Sequence, residues 1–280
     1  MCYNIYIKGW IFVNFYKKLK KAYKEADKKS FTAYAILRIL VLLTFARQIM
    51  LGEWGNAILC LFSLILFLVP FFLESKFKIS IPSVLEIIVL CFIFSAEILG
   101  EINNFYVRIP HFDTVLHTIN GFICAGIGFA LVDLLNENIK DIKLSPAFVS
   151  IVAFCFSMTV GVMWEVFEYS ADQFLNFDMQ KDILVSSIST VEMDKTKTNK
   201  VISVNDINKT ILYDENGNEL AKFDGYLDIG INDTMKDLIV NFIGALCFSI
   251  FGYLYILNRE KYTFVNNFIP TRNLKIIKED

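Results

Sequence analysis

No two of the six cysteines stand in a C-x-x-C pair, and only two histidines accompany them. Thiolate metal sites need clustered spacing, so this excludes a zinc finger or ribbon. Cys60, Cys91, Cys124, Cys155 and Cys247 lie inside apolar runs and read as small buried hydrophobes, not as a disulfide framework. Strong charge of either sign is also missing. The formal net charge is −2, so no global field calls for nucleic acid as a partner. The start does not read as a secretory signal, because the apolar "YNIYIKGWIFVNF" precedes the basic run "KKLKKAYKEADKK". That order suits a segment lying along an anionic membrane surface, or one simply solvated by water. Gly121, Gly126 and Gly128 are spaced five and two apart. They make no G-x-x-x-G motif and read as permitting close helix packing.

What the chain has in excess is apolar character. It is 55% hydrophobic with a mean hydropathy of +0.49, against about 45–50% apolar residues in a soluble domain. The excess comes in blocks. A bilayer core of about 30 Å takes roughly 20 apolar helical residues. Six blocks qualify: Phe31 to Phe45, Trp54 to Leu73, Ile81 to Leu99, Thr114 to Leu135, Pro146 to Ser170 and Met235 to Leu257. Pro146 suits a first helical turn, and Pro70 is expected to end or kink the second span. Trp10, Trp54 and Trp164 fit interfacial belts.

Lysine and arginine set the orientation. The first thirty residues hold eight, the loops "ESKFKIS" and "NENIKDIK" two each, and the tail after Asn258 five. The other short segments between spans hold only Arg47, at a span end, and Arg108, while the long stretch 173–232 holds six lysines. Both termini are therefore expected in the cytoplasm of a multi-pass cell-membrane protein. Arg38 and Glu86 then sit at similar depth, at about 1.5 Å rise per residue, and are predicted to pair; separate snorkelling is the alternative.

"WEVFEYSAD" carries the sharpest signal. Glu165, Glu168 and Asp172 follow at steps of three and four and so share one helix face. They close a helix at its C-terminus, where the macrodipole disfavours negative charge. Three further stripes sit at the same level. "DTVLHTIN" aligns Asp113, His117 and Asn120; "NDTMKDLIVNFIG" aligns Asp233, Asp237, Asn241 and Gly244; "AEILGE" aligns Glu97 and Glu101. Capping offers an ordinary account of Asp113 and of Asp233 or Thr234, with Asp237 completing a capping box. It does not account for His117, Asn120, Asn241 or the span-five acids. Those acids need protons, a cation, or Arg47 and Arg108 as partners. His111, beside Pro110, reads as an exposed loop histidine.

Carboxylates, an amide and one imidazole form a hard donor set that suits Mg²⁺, Mn²⁺ or Ca²⁺. On that reading Glu165, Glu168, Asp113, His117 and Asp237 hold metal, while Asn120, Asp172 and Asn241 help bind a ligand. Alternatively, crowded carboxylates share a proton, with Glu165 and Glu168 as acid and base and His117 as shuttle. Either arrangement suits a lipid or carrier headgroup. Two other readings stand: a transporter or proton/cation pathway, and a structural or assembly partner. Turnover in detergent separates enzyme from transporter.

The predicted organisation is an all-α integral membrane protein, a bundle of about six transmembrane helices with a small β-rich extracytoplasmic insert. Residues 1–30 form a basic cytoplasmic segment, 31–172 the first five spans, 173–232 the insert, 233–258 the last span and 259–280 a cytoplasmic tail. In the insert, Asn216-Gly217 marks a hairpin, and "KVISVND" is a candidate third strand.

"DTVLHTINGF", "WEVFEYSADQF", "FDMQKD" and "DTMKDLIVNFIGAL" resemble the YjdF-like family of bacterial multi-pass membrane proteins, from Ile81 to Leu257. A weaker likeness is to VanZ-like proteins, through Asp113 and His117, Glu165 and Glu168, and Asp237, Asn241 and Gly244. Those proteins are associated with glycopeptide-antibiotic resistance, so the likeness implies a cell-envelope role. The long insert between Gln180 and Asp233 departs from the usual pattern.

Overall fold

The computed structural model describes residues 28–136, 144–175 and 177–272. The N-terminal strip with its basic run, Cys2 and Trp10, the basic loop 137–143 and the tail beyond Arg272 lie outside the described residues.

The chain is mostly helical. Helix α1 spans Lys28–Leu51, α2 Trp54–Leu66, α3 Val69–Phe77 and α4 Ser83–Ile93. A π-helical stretch, Phe94–Ile102, continues α4. The short α5 covers Phe105–Arg108, followed by α6 (Phe112–Asn136), α7 (Pro146–Leu175) and α8 (Ile231–Leu257). Among the described residues, six helical segments are long and apolar enough to cross a membrane, α2 with α3 and α4 with its π-helical extension each counting as one. Large apolar side chains such as Leu43, Ile58 and Ile65 lie exposed on their outer faces, as a lipid solvent allows. Pro70 stands in the first turn of α3 and the bend falls just before it. There the Leu68 N–H donates to the Ile65 carbonyl at 2.9 Å, a tightened turn.

Two packed groups build the bundle. Leu37, Val41, Cys60, Phe67, Leu90, Ile98 and Ile102 form the core of α1, α2 and α4 with its extension. Phe129, Val149, Ala153, Ala245, Phe248 and Tyr255 form the core of α6, α7 and α8. Small residues bring the second group close. A Cβ added at Gly121 would run into the Asn241 carbonyl, and one at Gly244 into the Thr118 carbonyl. At Gly128 a Cβ would lie 2.8 Å from Phe156. The glycines permit close packing, as expected.

At one end the chain folds back on itself. After α8, strand β8 (Thr271–Arg272) pairs antiparallel with β1 (Ile79–Ser80), Ile79 opposite Arg272. Nearby, Arg259 donates to the buried Asp133 at 2.7 Å. The expected Arg38–Glu86 ion pair is not formed. The Arg38 guanidinium lies 4.2 Å over the Tyr34 ring instead, with its buried Nε unpaired. A cation over an aromatic face is a desolvated alternative to a carboxylate.

Between α7 and α8 the insert consists only of short strands in three two-stranded ladders. These are β2 (Leu184–Val185) with β7 (Tyr226–Leu227), β3 (Ile188–Thr190) with β4 (Ile202–Val204), and β5 (Thr210–Tyr213) with β6 (Glu219–Phe223). The hairpin at Asn216-Gly217 is present, Gly217 taking the left-handed φ of 83° that its turn requires. The "KVISVND" strand pairs with β3, not with this hairpin. Buried aspartates order the loops. Asp194 accepts the N–H groups of Thr196, Thr198 and Lys200 within 3.0 Å. The Thr196 hydroxyl and these backbone donors hold its carboxyl well below the usual value.

Candidate functional site

The polar stripes converge at the end of the bundle away from the β1–β8 pair. His117, on α6, is buried between two carboxylates. Its Nε2 is 3.5 Å from Asp113 Oδ1, one turn back, and its Nδ1 is 3.7 Å from Glu165 Oε1 on α7. Asp237, on α8, faces Asp113. One donor atom each from Asp113, His117 and Asp237 falls within 4.8 Å of the others, a spacing that a single cation could bridge. Asp237 is 1% exposed and Glu165 5%. Asp237 Oδ1 and both Glu165 oxygens are buried without a hydrogen bond of normal length. The nearest groups to Glu165 are the His117 ring and the Thr234 hydroxyl. Buried carboxylates left in that state are costly unless something answers them.

The other expected residues divide. Glu168 joins Glu165 in the cluster and accepts the Trp164 indole N–H at 2.8 Å. Trp164 therefore has a partner within the cluster. Asn120 and Asn241 lie one level deeper, Asn120 Nδ2 donating to Asn241 Oδ1 at 3.3 Å. A Cβ at Gly161 would lie 2.5 Å from the Asn241 amide, so this glycine makes room for it. Below them the core closes with Ala125, Ala245, Phe129 and Phe248. Asp172 does not join the cluster. Its two oxygens accept the N–H groups of Met179 and Gln180, at 2.6 and 2.9 Å, and so pin the segment that leaves α7. Its position at the helix end, one turn past Glu168, leaves it nearer to backbone donors than to the imidazole.

The capping account of α8 is overturned. The N-cap is Gly230, with φ of 86°, and no side chain caps the helix. Asp233 instead accepts the Lys181 N–H at 2.8 Å, while Gln180 donates to the Thr234 hydroxyl. Upstream, Asp228 takes N–H groups from Ile183, Gly230 and Asn232. The strap 177–183 is thereby tied across the tips of α7 and α8. Asp113 lies inside the first turn of α6 rather than at its cap.

Several neighbours escaped sequence reasoning. Tyr106, on α5, packs its ring on Gly100 of the π-helical stretch and edge-on to Phe112 at 5.5 Å. Burial pushes its hydroxyl above the ordinary value. The charges of Asp113, Glu101, Glu97 and Glu168 push the same way, which places it beside the cluster. A tyrosine outside any span gave no signal beyond its place between two stripes. π-Helical stretches often mark functional sites, and this one carries Glu97 and Glu101. Among the described residues, Lys181 is within electrostatic reach of Glu101, and Lys236 of Asp233 and His117. Arg47 bonds to Asn103 instead, at 3.4 Å, and Arg108 is exposed. His111 is exposed in its loop, as expected. A hollow of about 750 Å³ lies elsewhere, in the insert, lined by Ser186, Ser187, Tyr226 and Asp228. A cation needs no such volume, and the donor cluster is the better guide to chemistry.

Six apolar helical segments among the described residues, with a buried carboxylate–imidazole cluster at one end, define a multi-pass membrane protein. The family model described as "Predicted membrane protein (DUF2238)" matches residues 31–258, so the chain belongs to the DUF2238 family. It is also similar to an uncharacterised protein of Thermotoga maritima, 25% identical over 115 residues, which are 41% of this chain and 58% of that protein. The match thus spans less than two thirds of that relative's length. No solved structure matches the chain.

Proposed function

We propose that the protein binds a divalent cation, Mg²⁺, Mn²⁺ or Ca²⁺, through Asp113, His117 and Asp237, and through it the headgroup of a lipid or carrier. The observation that carries this reading is Asp237 Oδ1, buried without a hydrogen bond within a three-donor cluster. Hard oxygen donors in excess over a single imidazole favour those ions over zinc. The lysine and arginine distribution supports an orientation with the cluster at the outer leaflet, both termini in the cytoplasm and the insert outside. The YjdF-like and VanZ-like motifs support a role in the cell envelope.

A transporter needs polar groups continuing across the bundle. The step below Asn120 and Asn241 is apolar, with Phe129 and Phe248 fully packed, which weighs against a pathway through α6, α7 and α8. A purely structural role leaves the orphaned carboxylates without a purpose. The test is metal content of the purified protein by mass spectrometry beside Asp237→Asn. Stoichiometric metal in the first and its loss in the second supports the reading. No metal in either, after incubation with Mg²⁺, Mn²⁺, Ca²⁺ and Zn²⁺, removes it.

A further inference from the structure

We infer that the cleft between α1 and α4 holds the headgroup of a zwitterionic phospholipid, its phosphate on Arg38 and its primary ammonium on Glu86. The cleft stands apart from the acid cluster, at the end of the bundle that carries the β1–β8 pair. Two charges lie there and do not pair. Arg38 turns its guanidinium back over Tyr34, one helical turn nearer the start of α1, 4.2 Å from the ring centre. Its Nε is buried there without a hydrogen bond. Glu86, half-buried on α4, forms an ion pair with none of the described residues. It stands one turn before Leu90, which shares a core with Leu37 and Val41 of α1, so it lies on the α4 face turned to α1.

The levels of the two charges agree. The Ser30 hydroxyl donates to the Ser83 carbonyl at 3.5 Å and sets the start of α1 against the start of α4. Tyr34 follows Ser30 by one turn and Glu86 follows Ser83 by slightly less, about 6 and 4.5 Å along their axes. The guanidinium over Tyr34 and the Glu86 carboxylate therefore sit at one depth, about one turn inside the bundle. Tyr34 is within electrostatic reach of both. An ionised side chain at membrane depth is expensive and usually finds a partner. A headgroup with one phosphate and one ammonium answers both charges at once. The guanidinium fork matches phosphate oxygens, and a carboxylate accepts the ammonium N–H groups. Choline has no N–H to give, and a purely anionic headgroup meets repulsion from Glu86. The chemistry therefore selects an ethanolamine headgroup. Ile36, Ile39 and Val84 stand exposed on the same helices, which suits acyl chains and so a lipid rather than a free solute.

The test uses the full chain in detergent, freed of native lipid and offered short-chain phosphatidylethanolamine, phosphatidylglycerol or phosphatidylcholine. Bound lipid is counted by native mass spectrometry, and thermal unfolding is followed in the same mixtures. The expected result is retained phosphatidylethanolamine and a rise in unfolding temperature that the other two lipids do not give. Arg38→Gln and Glu86→Gln should each weaken that retention by about tenfold or more and abolish the rise. Equal retention of phosphatidylglycerol or of phosphatidylcholine overturns the assignment of Glu86 to the ammonium. Undiminished retention in either variant overturns the site. Variants that lose stability equally in every lipid while keeping the rise show a structural role and overturn it too. None of these outcomes bears on the acid cluster, whose test is metal content.

Discussion

The His117 ring stands between Asp113 and Glu165, with one nitrogen 3.5 Å from the first carboxylate and the other 3.7 Å from the second. A ring so placed can ligate an ion with one nitrogen while the carboxylate at the other fixes its tautomer. Loss of such an orienting partner costs about 10–100-fold in metal affinity. His117→Gln is expected to weaken Mn²⁺ binding by at least that range, read by calorimetric titration in detergent. An unchanged affinity would remove His117 from the ligand set.

Asp237 gives a prediction of opposite sign. Its Oδ1 is buried without a hydrogen bond and its carboxyl faces Asp113. In chelator, replacing it with a neutral isostere removes a buried repulsion. Asp237→Asn should then be more stable than the unaltered chain by an amount on the order of 1–3 kcal/mol, and so unfold at a higher temperature. With saturating divalent cation the order should reverse, because only the unaltered chain gains binding energy. Thermal unfolding with and without chelator checks both halves.

The α6–α8 crossing is a steric prediction. Gly121 and Gly244 approach the carbonyls of Asn241 and Thr118 too closely for a side chain. Gly121→Ala and Gly244→Ala should each cost about 1–3 kcal/mol through forced displacement of packed helices. Both should also disturb the Asn120–Asn241 hydrogen bond. Gly55→Ala, where nothing lies within 4 Å of the added carbon, serves as the control. Denaturation midpoints of the three variants decide the matter.

Asp228 sets a pH dependence outside the spans. Burial by itself raises its pKa, but the N–H groups of Ile183, Asn232 and Gly230 and the Asn232 amide outweigh that, so the carboxyl sits below its ordinary value. A depressed pKa contributes stability that is complete above the unfolded value, about 3.9, and lost as pH falls through the folded one. Proteolysis of the insert should therefore accelerate as pH drops below about 4. In Asp228→Asn the same profile should be flatter, and the insert more easily cut near neutrality.

Membrane orientation is testable by labelling. A cysteine at Ser187, in the insert, should react with an impermeant maleimide on intact cells. One at Lys76, by the loop "ESKFKIS", should react only after lysis. The reverse pattern would put the acid cluster on the cytoplasmic side.

The spans were readable because lipid demands long apolar runs and nothing else in the chain supplies them. The convergence of Asp113, His117, Glu165 and Asp237 was readable too, since steps of three and four on separate helices at one level leave few other arrangements. What resisted reading depended on tertiary choices of short polar groups. Asp172 and Asp233 found backbone donors in the strap, which no periodicity announces. Arg38 took a tyrosine ring where a glutamate was expected. The π-helical register of Phe94–Ile102, and with it the place of Tyr106 against Gly100, is a one-residue shift that leaves no mark on an apolar sequence.

The pairing of Ile79 with Arg272 joins the segment between the second and third spans to the segment beyond the last. The two helix groups are thus tied at one tip, and their acidic side chains approach one another at the other. That is the layout of forceps. Tyr106 and Glu101, beside the first group, and Asp113 of the second thus face one another at the tip that no described strand pair ties.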